Sequence, residues 1–293
     1  NEFNYNAAIL ADLQGPKIRI GEVKAEYKVK KGDHISFKTG DRFISTNNEF
    51  YMSYSNFAKD VTAGETVLID DGKLIFEIIS TNQKDLVQAK AMLDGVIRSN
   101  KGVNLPNTII SLPALTDKDK ADAIFAISQQ VDWIALSFVR NSQDLIELNT
   151  LINTHSDVKI PVIAKIEKPE AVQAIDEIIQ NCDGLMVARG DLGIEVPCEQ
   201  VPLIQKKLVL KAKRNRIPII IATQMMESMM DSLTPSRAEV NDVANSIIDG
   251  ADAVMLSGET SVGKFPVEVI QQISKIIESV EYSSLISVPE NPP

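Results

Sequence analysis

Lys165 and Glu167 stand two residues apart in "PVIAKIEKPEA" (161–171), a short apolar run of the kind that builds a buried strand. On an extended strand, residues two apart point to the same side. Charges in such places need a partner or a chemical task, because a buried unpaired charge is costly. Three further apolar runs end in residues of similar promise. "MVARGDLG" ends in Arg189, Gly190 and Asp191; "IIIATQMMES" carries Thr223 and Gln224; "VMLSGETSVG" carries Ser257, Gly258 and Glu259. Glu167 and Asp191 are hard oxygen ligands suited to an Mg²⁺ ion that keeps several waters. Lys165 is a compact cation able to meet a phosphoryl group or a developing oxyanion. Gly190 permits close backbone approach. If "DLGIEVP" opens a helical turn, its free N–H groups can hold an anion. Metal, lysine and amides together suit stabilisation of an enolate or a transferring phosphoryl group.

Each residue also has a plain structural reading. Lys165 and Glu167 could be an ion pair inside a barrel, Asp191 a helix N-cap, and Thr223 and Ser257 satisfied core hydroxyls. The recurrence of such residues at four successive strand ends favours a site, since parallel α/β sheets place their sites at the carboxyl ends of strands. His34 and His155 fall in a different segment and on an expected surface helix, and neither receives a role.

The elements that must position these residues follow from the hydropathy pattern. From Val131 on, continuous apolar runs ("DWIALSFV", "IPVIAKI", "DGLMVA", "IPIIIAT", "DAVMLS") alternate with amphipathic stretches of helical length. Continuous rather than alternating apolarity predicts parallel strands buried on both faces. Thr116 with Asp119 predicts a capping box, Pro169 the first turn of a helix "EAVQAIDEIIQ", and Gly250 a helix C-cap. "AAILADLQ" (7–14) is a sixth strand of the same type. Strand-helix alternation predicts a parallel sheet with right-handed crossovers. Between residues 23 and 101 the period is two, with Gly-containing turns. "TVLIDDGKLIFEII" reads there as a β-hairpin turning at Asp70, Asp71 and Gly72. The expectation is an α/β domain, 1–22 and 102–293, interrupted by a β-rich insertion, 23–101.

The totals are compatible with this. The 293 residues carry a net charge of −10 and 44% hydrophobic residues, enough for a sizeable core. The acidic balance disfavours nucleic acid and anionic membrane as partners. No run has the length of a membrane helix, and the start lacks the pattern of a signal peptide. Cys182 and Cys198 form neither a disulfide framework nor a metal pair, which suits a reducing cytoplasm.

The segments "ADLQGPKIRIG", "KGVNLP", "IAKIEKPE", "MVARGDLGIEVP", "ATQMMESM" and "TPSRAEVNDVANSIIDGADAVMLSGET" together resemble pyruvate kinase, from about Ile9 to Val280. The resemblance implies a TIM-type (β/α)8 barrel, here with strands three to eight only, and an inserted small all-β lid. It implies phosphoryl transfer from phosphoenolpyruvate to ADP, giving pyruvate and ATP, the last step of glycolysis. By match to the family motifs, Glu167 and Asp191 hold Mg²⁺ or Mn²⁺, and Lys165 stabilises the transferring phosphoryl group and the enolate oxygen. Ala188, Arg189, Gly190 and Asp191, with the Thr223 hydroxyl, bind substrate. Arg19 and Lys101 meet the nucleotide phosphates, and Arg19 is counted with Lys165 and Thr223 among the catalytic residues. Lid closure would exclude water. A homotetramer in the cytoplasm is the family expectation.

Two departures qualify the resemblance. The family has two barrel units before "AILADLQG", the second carrying an R-x-N-F-S-H-G motif, and usually a further C-terminal domain. The chain is therefore expected to be part of a longer polypeptide and inactive alone. Lys17, in "GPKIR", stands where many members have Glu and need K⁺. A lysine ammonium there is expected to make K⁺ unnecessary, with Asp12, which matches a K⁺-site carboxylate, pairing with Lys17 or another cation. Rival readings are an Mg²⁺-enolate aldolase or lyase, which ADP binding would discriminate, and a non-catalytic kinase-like scaffold. A scaffold has no reason to retain buried charges that cost stability.

Overall fold

The computed structural model describes residues 7–284. Cα packing divides the chain into two compact units. Of the described residues, the larger comprises 7–15, 114–193 and 197–284, and the smaller 16–113 with 194–196.

The chain enters on strand β1 (Leu10–Asp12) and then builds the smaller unit. Its strands are β2 (Tyr27–Val29), β3 (His34–Lys38), β4 (Glu49–Tyr51), β5 (Thr66–Ile69), β6 (Leu74–Thr81), β7 (Leu86–Ala91), β8 (Gly95–Ile97) and β9 (Val103–Asn104). Six of them form a mixed sheet in the order β4-β3-β7-β6-β5-β9, and β2 pairs with β8. The expected hairpin is β5–β6, antiparallel with Ile69 opposite Leu74. Its turn puts Asp70, Asp71 and Gly72 at φ of 55°, 57° and 81°. Alternation of apolar residues gives these strands one buried face. Phe37 packs edge-on to Phe57 and Phe76 in their common core.

The smaller unit differs from the sequence expectation in two ways. It is not wholly β, since Phe57–Asp60 form one helical turn. It also extends past 23–101, because flanking residues are sewn into it. Arg19 bridges Gly102, β9 pairs with β5, and Ile18, Ile20 and Leu105 are buried in its core.

The larger unit resumes with β10 (Trp133–Leu136), β11 (Val162–Ile166), β12 (Gly184–Ala188), β13 (Ile219–Ala222) and β14 (Ala253–Val254). With β1 they form a six-stranded curled half-barrel in chain order, β1-β10-β11-β12-β13-β14, every pair parallel. This is an α/β fold in which each apolar run becomes a strand. β12 is buried at every residue, as burial on both faces requires. Ala135, Ile163, Met186 and Ala222, one from each of β10 to β13, cluster on one face.

Helix boundaries follow the local chemistry. Thr116 and Asp119 form the reciprocal capping box of the helix Asp117–Ser128. Ser236 and Glu239 do the same for Arg237–Asp249, which ends on left-handed Gly250. The stretch "EAVQAIDEIIQ" departs from expectation. It is two short helices, Pro169–Gln173 and Ile175–Ile179, meeting at Ala174 (φ −85°, ψ 11°). Among the described residues, no helix is long and apolar enough to cross a membrane.

Candidate functional site

Six strands deliver their carboxyl ends to one rim of the sheet. The register sets their levels: Ile166 pairs with Val187, and Ala188 pairs with Ala222. Glu167, one residue past Ile166, thus falls level with Ala188 and Ala222.

Lys165 is the centre of this rim. Its ammonium donates to Asp12 Oδ1 at 3.0 Å and Oδ2 at 3.3 Å, donates to Ser137 Oγ at 2.8 Å, and lies 3.4 Å from Glu167 Oε1. Burial opposes its charge, but Glu167 and Asp12 outweigh burial and hold its pKa above the ordinary lysine value. Glu167 is only 1% exposed. Burial pushes its carboxyl above the usual range, the nearby charge of Asp191 pushes the same way, and Lys165 opposes both. Its Oε2 accepts the Phe138 N–H at 2.7 Å.

That amide is aimed by a backbone kink. Phe138 has φ 54°, in the left-handed region. Room for its ring comes from Gly15 (φ 69°), where a Cβ would lie 2.7 Å from Phe138 Cδ2. Gly15 N–H in turn donates to buried Asp119 at 3.0 Å, so one capping carboxylate serves both a helix start and this loop. Ser137, buried, donates to Leu13 O at 2.6 Å and so links β1 to β10 under Lys165.

Beyond β12, a helix begins at Arg189 and puts Gly190 and Asp191 in its first turn. The Gly190 N–H donates to Thr223 Oγ1 at 2.6 Å, and the Thr223 hydroxyl donates to Ala222 O at 2.6 Å. Thr223 and Gln224 are both left-handed, at φ 71° and 54°. An added Cβ at Gly190 would lie 3.4 Å from Thr223, so close approach does not by itself demand glycine there. Arg189 turns inward, to Asp242 at 2.7 Å and to the carbonyl of Thr223 at 2.7 Å.

Among the other expected residues, Asp12 pairs with Lys165 rather than Lys17, because both residues sit on neighbouring parts of the larger unit's rim. Lys17 is exposed and belongs to the smaller unit. Arg19 and Lys101 are neighbours there: Ile20 N–H donates to Lys101 O at 2.9 Å, and Arg19 Nη1 donates to Asn100 O at 2.8 Å. The Lys101 ammonium pairs with Asp70 of the hairpin turn at 2.9 Å. Ser257 is exposed, and Glu259 serves the backbone. Glu259, buried, accepts the N–H of Ser257 at 2.8 Å and of Met226 at 3.2 Å. The sequence reading missed Ser137 and the Phe138 amide. Their position directly after the run "WIAL" was the available signal, since Glu167, Arg189 and Thr223 directly follow β11, β12 and β13 in the same way.

A divalent ion fits the donor set. Among the described residues no three or more His, Cys, Asp and Glu side chains are placed to hold a metal ion together. Glu167 and Asp191 are instead two mutually repelling carboxylates, one desolvated, which a divalent cation would relieve. Two protein ligands suit Mg²⁺, which keeps its remaining positions for water and substrate oxygens.

A family model described as pyruvate kinase, barrel domain, matches residues 1–270. Pyruvate kinase 2 of Synechocystis sp. is 47% identical over 97% of this chain and 48% of its own length. The pyruvate kinase of Corynebacterium efficiens is 48% identical over 93% of this chain and 57% of its own length. That of Clostridium perfringens is 42% identical over 94% and 58%. The chain thus spans about half the length of the curated relatives it matches. With the barrel-domain match covering nearly all of it, the chain belongs to the pyruvate kinase family.

Proposed function

We propose that the chain is the catalytic body of a pyruvate kinase, which moves the phosphoryl group of phosphoenolpyruvate to ADP and releases pyruvate and ATP. The observation that carries this reading is the ammonium of Lys165, held beside a desolvated Glu167 whose carboxylate neighbour is Asp191.

The chemistry follows from charge. Phosphoryl transfer develops negative charge on equatorial oxygens and on the enolate leaving oxygen, and its catalysis is mainly positioning and electrostatics. Lys165 keeps its proton, because two carboxylates outweigh its burial. It therefore offers a fixed cation to the phosphoryl and enolate oxygens. Glu167 and Asp191 would hold Mg²⁺ or Mn²⁺, which supplies Lewis-acid neutralisation of the same oxygens. Ala188 ends β12, Gly190 and Asp191 lie in the first helical turn after it, and these three are assigned to the substrate carboxylate. Thr223 borders the face of enolpyruvate that takes a proton. Arg19 and Lys101 are assigned to the nucleotide phosphates, and the smaller unit to the family's lid. β1 and β10 to β14 are assigned to barrel strands three to eight. Lys17 is proposed to free the enzyme from K⁺. A cytoplasmic homotetramer is the assembly proposed for the full-length protein.

The experiment is pyruvate formation from phosphoenolpyruvate, ADP and Mg²⁺ by the full-length protein, with and without K⁺, beside its Lys165→Met variant. Methionine fills the lysine's volume without its charge. The variant is expected to fold and to lose turnover by about three orders of magnitude or more. Near-normal turnover in it would overturn the assignment, and strong activation by K⁺ would remove the role given to Lys17.

A further inference from the structure

The resemblance groups Arg189 with the substrate-binding residues, yet its guanidinium is already committed. A guanidinium has five N–H donors. Nε meets Ala222 O at 3.3 Å. Nη1 meets Asp242 Oδ1 at 2.7 Å and Gln205 Oε1 at 3.4 Å. Nη2 meets Thr223 O at 2.7 Å and Met225 Sδ at 2.9 Å. Five acceptors account for five donors, and the side chain is only 14% exposed. A substrate oxygen could reach it only by displacing a protein partner.

What the guanidinium holds is specific. Ala222 O and Thr223 O are consecutive carbonyls, one on each side of the Thr223 Cα. Thr223 and Gln224 occupy the left-handed region in succession, which a β-branched residue such as threonine adopts only when its surroundings impose it. The next residue along from Arg189 completes the grip, since Gly190 N–H donates to Thr223 Oγ1. The dipeptide 189–190 therefore holds both the backbone and the hydroxyl of Thr223. The far side of the guanidinium is anchored by Asp242, from the helix Arg237–Asp249, and by Gln205, from the helix Val201–Asn215.

We propose that Arg189 is a positioning residue that, locked by Asp242 and gripping the Thr223 backbone, sets the Thr223 hydroxyl for the reaction and does not itself contact substrate. The proposal deepens the pyruvate kinase reading and rests on it for the role of Thr223.

The test uses the full-length protein and the variants Arg189→Lys, Thr223→Ala and the double variant. Lysine keeps the charge but lacks the planar fork that spans two carbonyls and Asp242. A small displacement of a reacting group costs up to about 100-fold in rate. Arg189→Lys is expected to lower kcat about 10- to 100-fold with little change in KM for ADP. In the Thr223→Ala background, the same change should lower kcat less than about threefold, since there is no hydroxyl left to misplace. Multiplicative losses in the double variant would overturn the proposal. A second measurement needs no turnover: hydrogen exchange, by mass spectrometry, of a peptide carrying the Gly190 amide. Arg189→Lys should speed that exchange at least about tenfold while leaving β11 unchanged, and intact Gly190 protection would overturn the proposal. Should Arg189→Lys not fold, Asp242→Asn is judged by the same exchange criterion. A wild-type protein without phosphotransferase activity would defeat the functional reading, while the exchange result would still decide the positioning.

Discussion

Ser137 shows how a neutral side chain can govern a charged one. Its hydroxyl accepts from Lys165 Nζ at 2.8 Å and donates to Leu13 O at 2.6 Å, so both its donor and one acceptor position are used, in a buried place. The ammonium thereby has three fixed directions: Asp12, Ser137 and Glu167. Ser137→Ala would leave one backbone carbonyl unpaired and one ammonium direction undefined. We expect it to cost about 1 to 3 kcal/mol of stability and about tenfold in kcat, with Mg²⁺ dependence retained because Glu167 is untouched. Denaturant unfolding and steady-state kinetics on the full-length protein check the two parts. A variant with normal kcat and lowered stability would make Ser137 a core hydroxyl only. The pair Lys165 and Glu167 was legible in the sequence because charge in an apolar run is conspicuous. Ser137 and the Phe138 amide were not, because a serine on a strand is unremarkable and an amide leaves no mark in residue type. The Asp12–Lys165 pair joins residues 153 apart in the chain, which no local pattern encodes.

The elements hold these residues through their ends. The loop from β13 to the helix Arg237–Asp249 is tied by Glu239, which accepts from Ser228 N–H at 2.7 Å and from Ser236 N–H at 2.7 Å. Burial alone would raise the pKa of Glu239. Its hydrogen bonds from Ser228 and Ser236 prevail and hold it below the usual glutamate value. A carboxyl whose folded pKa is depressed stabilises the fold above its unfolded pKa, and that stability is lost as pH falls through the folded one. Glu239→Gln should therefore lower the melting temperature at pH 7, by an amount matching about 1 kcal/mol, and this difference should shrink as pH falls below 4.5, the ordinary glutamate value. Calorimetric melts of both proteins across this range decide it, and a pH-independent difference would refute it. The Thr116–Asp119 capping box and the strands were readable because they are local. The break at Ala174 was not, since "EAVQAIDEIIQ" has an unbroken helical period and carries no breaker. Equally hidden was the inward turn of Arg189, whose partners come from two helices, the end of β13 and the loop after it.

At the scale of the whole molecule, the sequence separates two packing regimes: continuous apolar runs for the half-barrel and alternating ones for the smaller unit. Their boundary was misread by several residues on each side, because the flanks "GPKIRIG" and "KGVNLP" match family motifs and read as barrel, while their apolar residues pack elsewhere. Ile18, Ile20, Val103 and Leu105 join a core in which every member lies between Ile18 and Leu105. The returning chain is also fastened from within. Ser111 N–H donates to Asp60 Oδ2 at 2.8 Å and to the Tyr54 hydroxyl at 3.0 Å. Burial, with Asp60 adding to it, raises the Tyr54 pKa further above neutral. A segment with its own core, paired strands and internally satisfied ends meets the conditions for independent folding. Residues 16–113 should accordingly fold alone, giving dispersed amide resonances and a single cooperative melt. A segment cut at 23 and 101 should not, since it forfeits four buried side chains and the β9 pairing; at about 1.5 to 3 kcal/mol for each large aliphatic side chain, that loss rivals the whole stability of a domain this size. If both segments fold equally well, the flanks belong to the barrel after all.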